Sequence, residues 1–180
     1  MTDAANAAQI AYWNAATGET WAELQERLDH QLKTLGEQGI RTLAPRAGER
    51  ILDIGCGAGQ TSLQLAEAVG PTGEVTGVDI SQPLLAVARS RPTPDGKVEF
   101  LEADAQTFEF VPASYDALFS RFGVMFFAEP TAAFANMRKA LKPDGRMTFV
   151  CWRPPADNLF MALPMIAART VLPETASTAP

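Results

Sequence analysis

From Glu49 to Gly59 a short apolar run stands directly against three glycines at alternate positions, Gly55, Gly57 and Gly59. Arg50 to Ile54 predict a strand, and the glycines after it predict a tight turn. Gln60 to Val69 predict a helix, because Leu63, Leu65, Ala66 and Val69 share one face at helical spacing. Strand, glycine turn and helix form the first unit of a nucleotide-type α/β fold, in which missing Cβ atoms let a ligand approach the backbone. The spacing narrows the ligand. A dinucleotide fingerprint needs a glycine at position 60, where Gln60 stands. The pattern present is Asp53-x-Gly55-x-Gly57-x-Gly59, with a carboxylate two residues before the first glycine. Glycine triplets also occur in ordinary turns, so the later residues decide what this one means.

Those residues repeat the alternation of strand and helix. Gly70 to Gly73 mark a turn, and Glu74 to Asp79 predict a second strand ending on an acid. Asp79 lies about twenty residues beyond the glycine turn, where a nucleotide fold places the carboxylate that holds a ribose hydroxyl pair. Ser81 is placed to cap a helix over Gln82 to Ser90, with Pro83 tolerated in its first turn. Residues 92–96 break that helix, and Lys97 to Leu101 predict a third strand running into Asp104 and Ala105. Tyr115 to Phe119 predict a fourth strand. Pro130 to Leu141 predict a helix with Ala133, Phe134, Met137 and Leu141 as its buried stripe. Lys142 to Gly145 predict a turn and Arg146 to Trp152 a fifth strand. Strands alternating with helices imply a parallel sheet joined by right-handed crossovers.

Composition removes other classes. The 180 residues suffice for one domain with a core, and 47% hydrophobic with 20% charged residues is ordinary for a water-soluble protein. A formal charge of −6, with no run of Lys or Arg, argues against a nucleic-acid surface. No apolar run is long enough to cross a bilayer, and residues 1–8 lack the features of a signal peptide. Cys56 and Cys151 form no metal-type spacing; reduced thiols in a cytoplasm are expected, with no metal site.

The N-terminal segment carries Tyr12-Trp13 and then a helical pattern from Glu19. Trp21, Leu24, Leu28, Leu32 and Leu35 recur at spacings of three and four, with Gly36 and Gly39 as stop signals. This helix is expected to pack on the sheet; as a lid, it would bring Tyr12, Trp13 and Trp21 over a ligand. His30, the single histidine, falls on its polar side.

Taken in order, Asp53 to Gly59, Asp79, Asp104-Ala105, Tyr115-Asp116 and Leu141 to Gly145 resemble the class I S-adenosylmethionine (SAM)-dependent methyltransferases. The resemblance covers about residues 45–152 and is nearest the small-molecule type related to the ubiquinone/menaquinone-biosynthesis methyltransferases. It implies a Rossmann-like parallel sheet of order 3-2-1-4-5 under an N-terminal helical lid. The implied organisation is a cap over residues 1–44, a SAM-binding core over 45–152 and a proline-rich segment over 153–180. It also implies SAM as cofactor, S-adenosylhomocysteine (SAH) as product and methyl transfer to an N, O or C atom of a small-molecule acceptor. Gly55 and Gly57 would admit the methionine part of SAM, and Asp53 would order the turn and help hold the amino end. Asp79 would accept from both ribose hydroxyls, and Asp104 from the adenine amino group, with the Ala105 backbone completing the ring edge. Cys56 and Ile80 would line the adenosine site and Ser120 would sit beside the methionine moiety. No catalytic residue is assigned; His30, Tyr12, Arg121 and Glu129 are candidates for a base that no motif fixes.

Full-length relatives add two strands as an antiparallel hairpin, whereas here nothing after Trp152 reads as a strand. Leu159 to Leu172 predict a helix interrupted or kinked at Pro164, and Glu174 to Pro180 disorder. The hairpin is therefore expected to be missing and the fifth strand to be an apolar edge. Either the chain is a shortened form of a longer methyltransferase, or the edge is covered in a homodimer. Two other functions stay open: a SAM-binding module without turnover, and a nicotinamide-dependent oxidoreductase, which Gln60 disfavours.

Overall fold

The computed structural model describes residues 6–93 and 98–171. It divides into two compact units, one ending at Val150 and one beginning at Cys151. In the first, five parallel strands lie in the order β3-β2-β1-β4-β5: β1 (Arg50–Ile54), β2 (Glu74–Asp79), β3 (Val98–Glu102), β4 (Tyr115–Arg121) and β5 (Leu141–Val150). The helices are α1 (Ala7–Trp13), α2 (Ala16–Glu23), α3 (Gln25–Leu43), α4 (Gln60–Val69), α5 (Gln82–Ser90) and α6 (Pro130–Ala140). β1, α4, β2 and α5 have the bounds expected from sequence. The sheet order and its parallel sense are as the resemblance implied.

Side chains alternate across a strand, so β1 feeds both faces of the sheet. Leu52 and Ile54 join Val78, Leu118, Ala133 and Met137 in one core. Ile51 joins Leu43, Leu65, Val69, Val75 and Phe119 in the other. Asp53 shares the parity of Ile51, which aims its side chain at the start of α4.

Three sequence expectations change. The N-terminal segment is three helices, and α3 runs through Gly36 and Gly39 to Leu43. These glycines are contact points and not stops. A Cβ on Gly39 would lie 2.7 Å from Val150 Cγ2 and 2.9 Å from Phe119 Cε2, so glycine lets the helix lie directly on the sheet. The helix ends instead at Ala44, in the left-handed conformation. Residues 142–145 are a bulge inside β5: Leu141 pairs with Tyr115 and Arg146 with Ala117, so four residues of one strand stand opposite the single Asp116 of the other. β5 ends at Val150, two residues earlier than expected.

In the second unit α7 (Leu159–Arg169) carries Pro164 inside it, and no strand follows β5 among the described residues. Residues 94–97, where the third strand was expected to start, and Glu174 to Pro180 lie outside the described residues. No helix among the described residues is long and apolar enough to cross a membrane.

Candidate cofactor site

The expected site residues gather at the carboxyl ends of β1, β2, β3 and β4, the side on which open α/β sheets take ligands. Gly55 and Gly57 both hold positive φ, 66° and 53°, a conformation costly to any residue with a Cβ. A Cβ on Gly55 would also fall 2.5 Å from the Cα of Gly123, so the turn after β4 closes directly on the glycine turn. On Gly57 the nearest atom to such a Cβ is Leu84 Cδ1 at 3.9 Å, which leaves the approach to this backbone open.

Asp53 is fully buried, and its Oδ2 accepts from Thr61 Oγ1 and Ser62 Oγ, both at 2.7 Å. Its Oδ1 is buried without a hydrogen-bond partner among the described residues. Burial pushes the carboxyl up to about 6, against the two hydroxyls and the charge of Arg121. Asp79 ties the two turns together: Oδ2 accepts from Gly57 N at 2.8 Å and Oδ1 from Ser81 N at 2.9 Å. Burial raises its pKa more than these N–H groups lower it. Each oxygen has a second lone pair, so two further donors can be accepted. Ile80 follows, and its carbonyl accepts from Asn14 Nδ2 at 2.8 Å.

Asp104 stands at the exit of β3, where Oδ1 accepts from Gln106 N at 2.9 Å and from Asn6 Nδ2 at 3.2 Å. Ala105 is buried beside it, and its carbonyl accepts from Asn136. Cys56 is buried with Sγ 3.8 Å from the Gly57 carbonyl oxygen. Burial and the nearby Asp79 and Asp53 push its thiol up, which holds it neutral and disfavours a nucleophilic role. Ser120 is fully buried, donating to Ile54 O at 2.7 Å and accepting from Val124 N at 3.3 Å. Its hydroxyl therefore braces β4 against β1.

The candidate bases are not brought together. His30 is exposed on α3, Tyr12 packs edge-on to Trp13, and Glu129 is exposed. Arg121 is tied through Nη1 to Gln60 Oε1 at 2.5 Å and Leu32 O at 3.4 Å. No cluster of metal-ligating side chains occurs among the described residues.

Asn6 and Asn14 were missed by sequence reading. Asn14 reaches Ile80 and accepts from Gln82 N, Ser81 Oγ donates to Trp13 O at 2.8 Å, and Asn6 holds Asp104. The N-terminal helices thus dock on the exits of β2 and β3. The signal available was the pair of polar Asn residues bracketing Tyr12-Trp13. Trp13 also meets Phe126 edge-to-face at 5.4 Å, joining the cap to the loop after β4.

The arrangement has counterparts among known proteins. Residues 51–145 match a family described as methyltransferase domain. A demethylmenaquinone methyltransferase of Thermus thermophilus is 36% identical over 129 residues, which are 71% of this chain and 58% of that protein. The chain thus spans less than two thirds of that relative's length. A SAM-dependent methyltransferase from Aquifex aeolicus shares the fold at TM-score 0.60 and 22% identity, covering 66% of this chain and 64% of the other. A phosphoethanolamine N-methyltransferase of Haemonchus contortus, solved with phosphomonomethylethanolamine and SAH, aligns at TM-score 0.59 and 27% identity, over 76% of this chain and 36% of its own. The glycine turn, the acids at three strand ends and the family match lead to one statement: the chain belongs to the methyltransferase-domain family.

Proposed function

We propose that this chain binds SAM at the carboxyl ends of β1 to β4 and transfers its methyl group to a small-molecule acceptor. The observation that carries the reading is Asp53, whose buried Oδ1 lacks a donor beside an open glycine turn. A buried acceptor without a partner costs about 1–3 kcal/mol, and the ammonium of an amino-acid tail would supply the missing donor. The other residues fit the rest of the cofactor. Asp79 has lone pairs for both ribose hydroxyls, Asp104 Oδ2 is available to the adenine amino group, and Ala105 and Ile80 flank that position. Gly57 exposes backbone to the methionine tail, Gly55 lets the turn after β4 pack against the glycine turn, and Cys56 is a wall and Ser120 a brace.

When bound, SAM supplies an activated sulfonium methyl, so little covalent chemistry falls to the protein. What the chain contributes is alignment and exclusion of water, effects worth about 7–11 kcal/mol when reactants are well placed. Docking of α1 and α2 through Asn6, Asn14 and Ser81 closes the cleft from above. The acceptor's proton leaves to solvent or to a base on the acceptor side; no residue is assigned to that role.

The relatives named above act, by their names, on demethylmenaquinone and on phosphoethanolamine, both small molecules. β5 is an edge of the described sheet and its Phe149 is 47% exposed, which supports pairing with a second copy there; sedimentation would report it. Calorimetry with SAH and NADH tests the central reading. SAH should bind and NADH should not; the reverse would return the chain to oxidoreductase chemistry. SAH binding without transfer from labelled SAM to any acceptor would reduce it to a binding module.

A further inference from the structure

The turn from β2 into α5 is held by residues distant in the chain. Ser81 stands at the cap position of α5, as expected from sequence, yet its hydroxyl makes no cap hydrogen bond. It donates instead to Trp13 O at 2.8 Å. The capping falls to Asn14, 68 residues from its partner. Asn14 Oδ1 accepts from Gln82 N at 2.8 Å, one of the first-turn N–H groups that a helix leaves unpaired. Its Nδ2 donates to Ile80 O and to Ile10 O, each at 2.8 Å. The amide orientation is thereby set, since a flip would put Oδ1 against two carbonyl oxygens.

Asn14 lies at the corner between α1 and α2, and that corner is built for close contact. Gly18 is buried there, and a Cβ on it would lie 1.9 Å from Trp13 O and 3.1 Å from Ser81 Oγ. A larger residue would displace the carbonyl that Ser81 holds. Asn14 and Trp13 together take one polar group from each of Ile80, Ser81 and Gln82. Ser81 N, in the middle of that run, donates to Asp79 Oδ1, and Asp79 Oδ2 accepts from Gly57 N. Hydrogen bonds thus run from the corner through the Asp79 carboxylate to the glycine turn.

We propose that Asn14 is a positioning residue for the cofactor's ribose: by capping α5 from the N-terminal segment, it fixes the turn that aims the Asp79 carboxylate at the hydroxyl pair. The ribose as target rests on the SAM reading; the tie from Asn14 to Gly57 rests on the hydrogen bonds alone. Asn14 acts through Ile80 and Gln82 and not on the ligand. A binding constellation keeps its selectivity only while its groups stay within about 0.5 Å of the productive geometry, so a loosened turn blunts the reading of the hydroxyls.

The experiment compares the full chain with Asn14→Ala by amide hydrogen exchange in NMR, and by calorimetry with SAH and its 2′-deoxy analogue. Without ligand, exchange at Gly57, Ser81 and Gln82 should quicken about tenfold more than at Leu52 and Leu118 in the sheet. SAH should bind about fivefold more weakly to the variant. The wild type should prefer SAH over the 2′-deoxy analogue by about tenfold, and the variant should show a clearly smaller preference. Were Asn14 only a packing residue, stability would fall while Gly57 kept its exchange relative to the sheet and the ribose preference stayed as in the wild type. Either of those last two results would overturn the proposal. Ser81→Ala, which cuts the tie to Trp13 and keeps Ser81 N, is the second variant should Asn14→Ala fail to fold, with the same pattern expected. Failure of the wild type to bind SAH would instead overturn the SAM reading, leaving the tie to be judged by Gly57 exchange.

Discussion

At the amino-terminal ends of the strands, Glu49 and Asp116 sit against cations; at the carboxyl ends, Asp53 and Asp79 do not. The ion pair there is Asp29–Arg91, whose Arg91 also donates to Ala58 O in the glycine turn. Glu49 takes Arg146 through both oxygens, at 2.8 and 2.7 Å, while Arg146 also donates to the carbonyls of Leu43 and Ala44. Asp116 pairs with Lys142 at 2.5 Å and accepts from Arg50 N at 2.9 Å. The Arg146 hydrogen bond, against some burial, brings Glu49 below its usual range. Burial pushes Asp116 up, but the Arg50 N–H and the Lys142 ammonium leave it lowered overall. Asp53 and Asp79, in contrast, form no ion pair among the described residues, and burial raises both. One end of the sheet is built for stability. The other holds carboxylates at a cost to stability, which makes sense if a ligand satisfies them.

The largest expected effect at the stabilised end comes from Arg146→Met. It leaves Glu49 with only the Arg46 N–H and two carbonyls without the Arg146 donors, and should destabilise the fold by about 3 kcal/mol in urea unfolding. SAH affinity should stay within twofold. A large loss of SAH affinity in a still-folded variant would break the division between the two ends.

Next in size is Asp53→Asn. The carboxyl titrates at about 6 when folded and near 4 when unfolded, so the folded chain binds more protons between those values. Stability from this group therefore falls as pH rises from about 4 to 6, and above 6 the full cost is present. Asp53→Asn should gain about 2 kcal/mol at pH 8 and nearly nothing at pH 4, while SAH binding weakens. Glu49→Gln should do the opposite. The stabilisation it removes is present above the unfolded pKa and lost as pH falls through the folded one, so its deficit should be larger at pH 7 than at pH 3. Parallel pH profiles for the two variants would contradict the contrast.

How much of this was legible depended on whether the signal was local. β1, α4, β2 and α5 could be bounded from sequence because apolar spacing and turn residues sit within each element. Gly36 and Gly39 misled for the opposite reason. Their role is set across the interface, by Arg121 and Thr61 at Gly36 and by Val150 and Phe119 at Gly39, and contact of that kind leaves no trace at short range. The bulge at residues 142–145 looked like a turn because Pro143 and Gly145 are turn residues; only pairing with β4 shows that the strand begins before it. Within the site, Asp53, Asp79 and Asp104 were visible because each ends or nearly ends a strand in step with the glycine turn. Asn6 and Asn14 were not, since a cap's polar contacts depend on how three helices fold back over the sheet.

The glycine turn and its acids make one claim above the others: Asp79 reads a ribose. Calorimetric titration of the wild type and of Asp79→Ala with SAH tests it most directly. Loss of the carboxylate should cost about 1–2 kcal/mol, a roughly tenfold weaker Kd, by leaving the ribose hydroxyls without their acceptor. Equal affinity in the two proteins, with Asp79→Ala folded, would contradict the assignment.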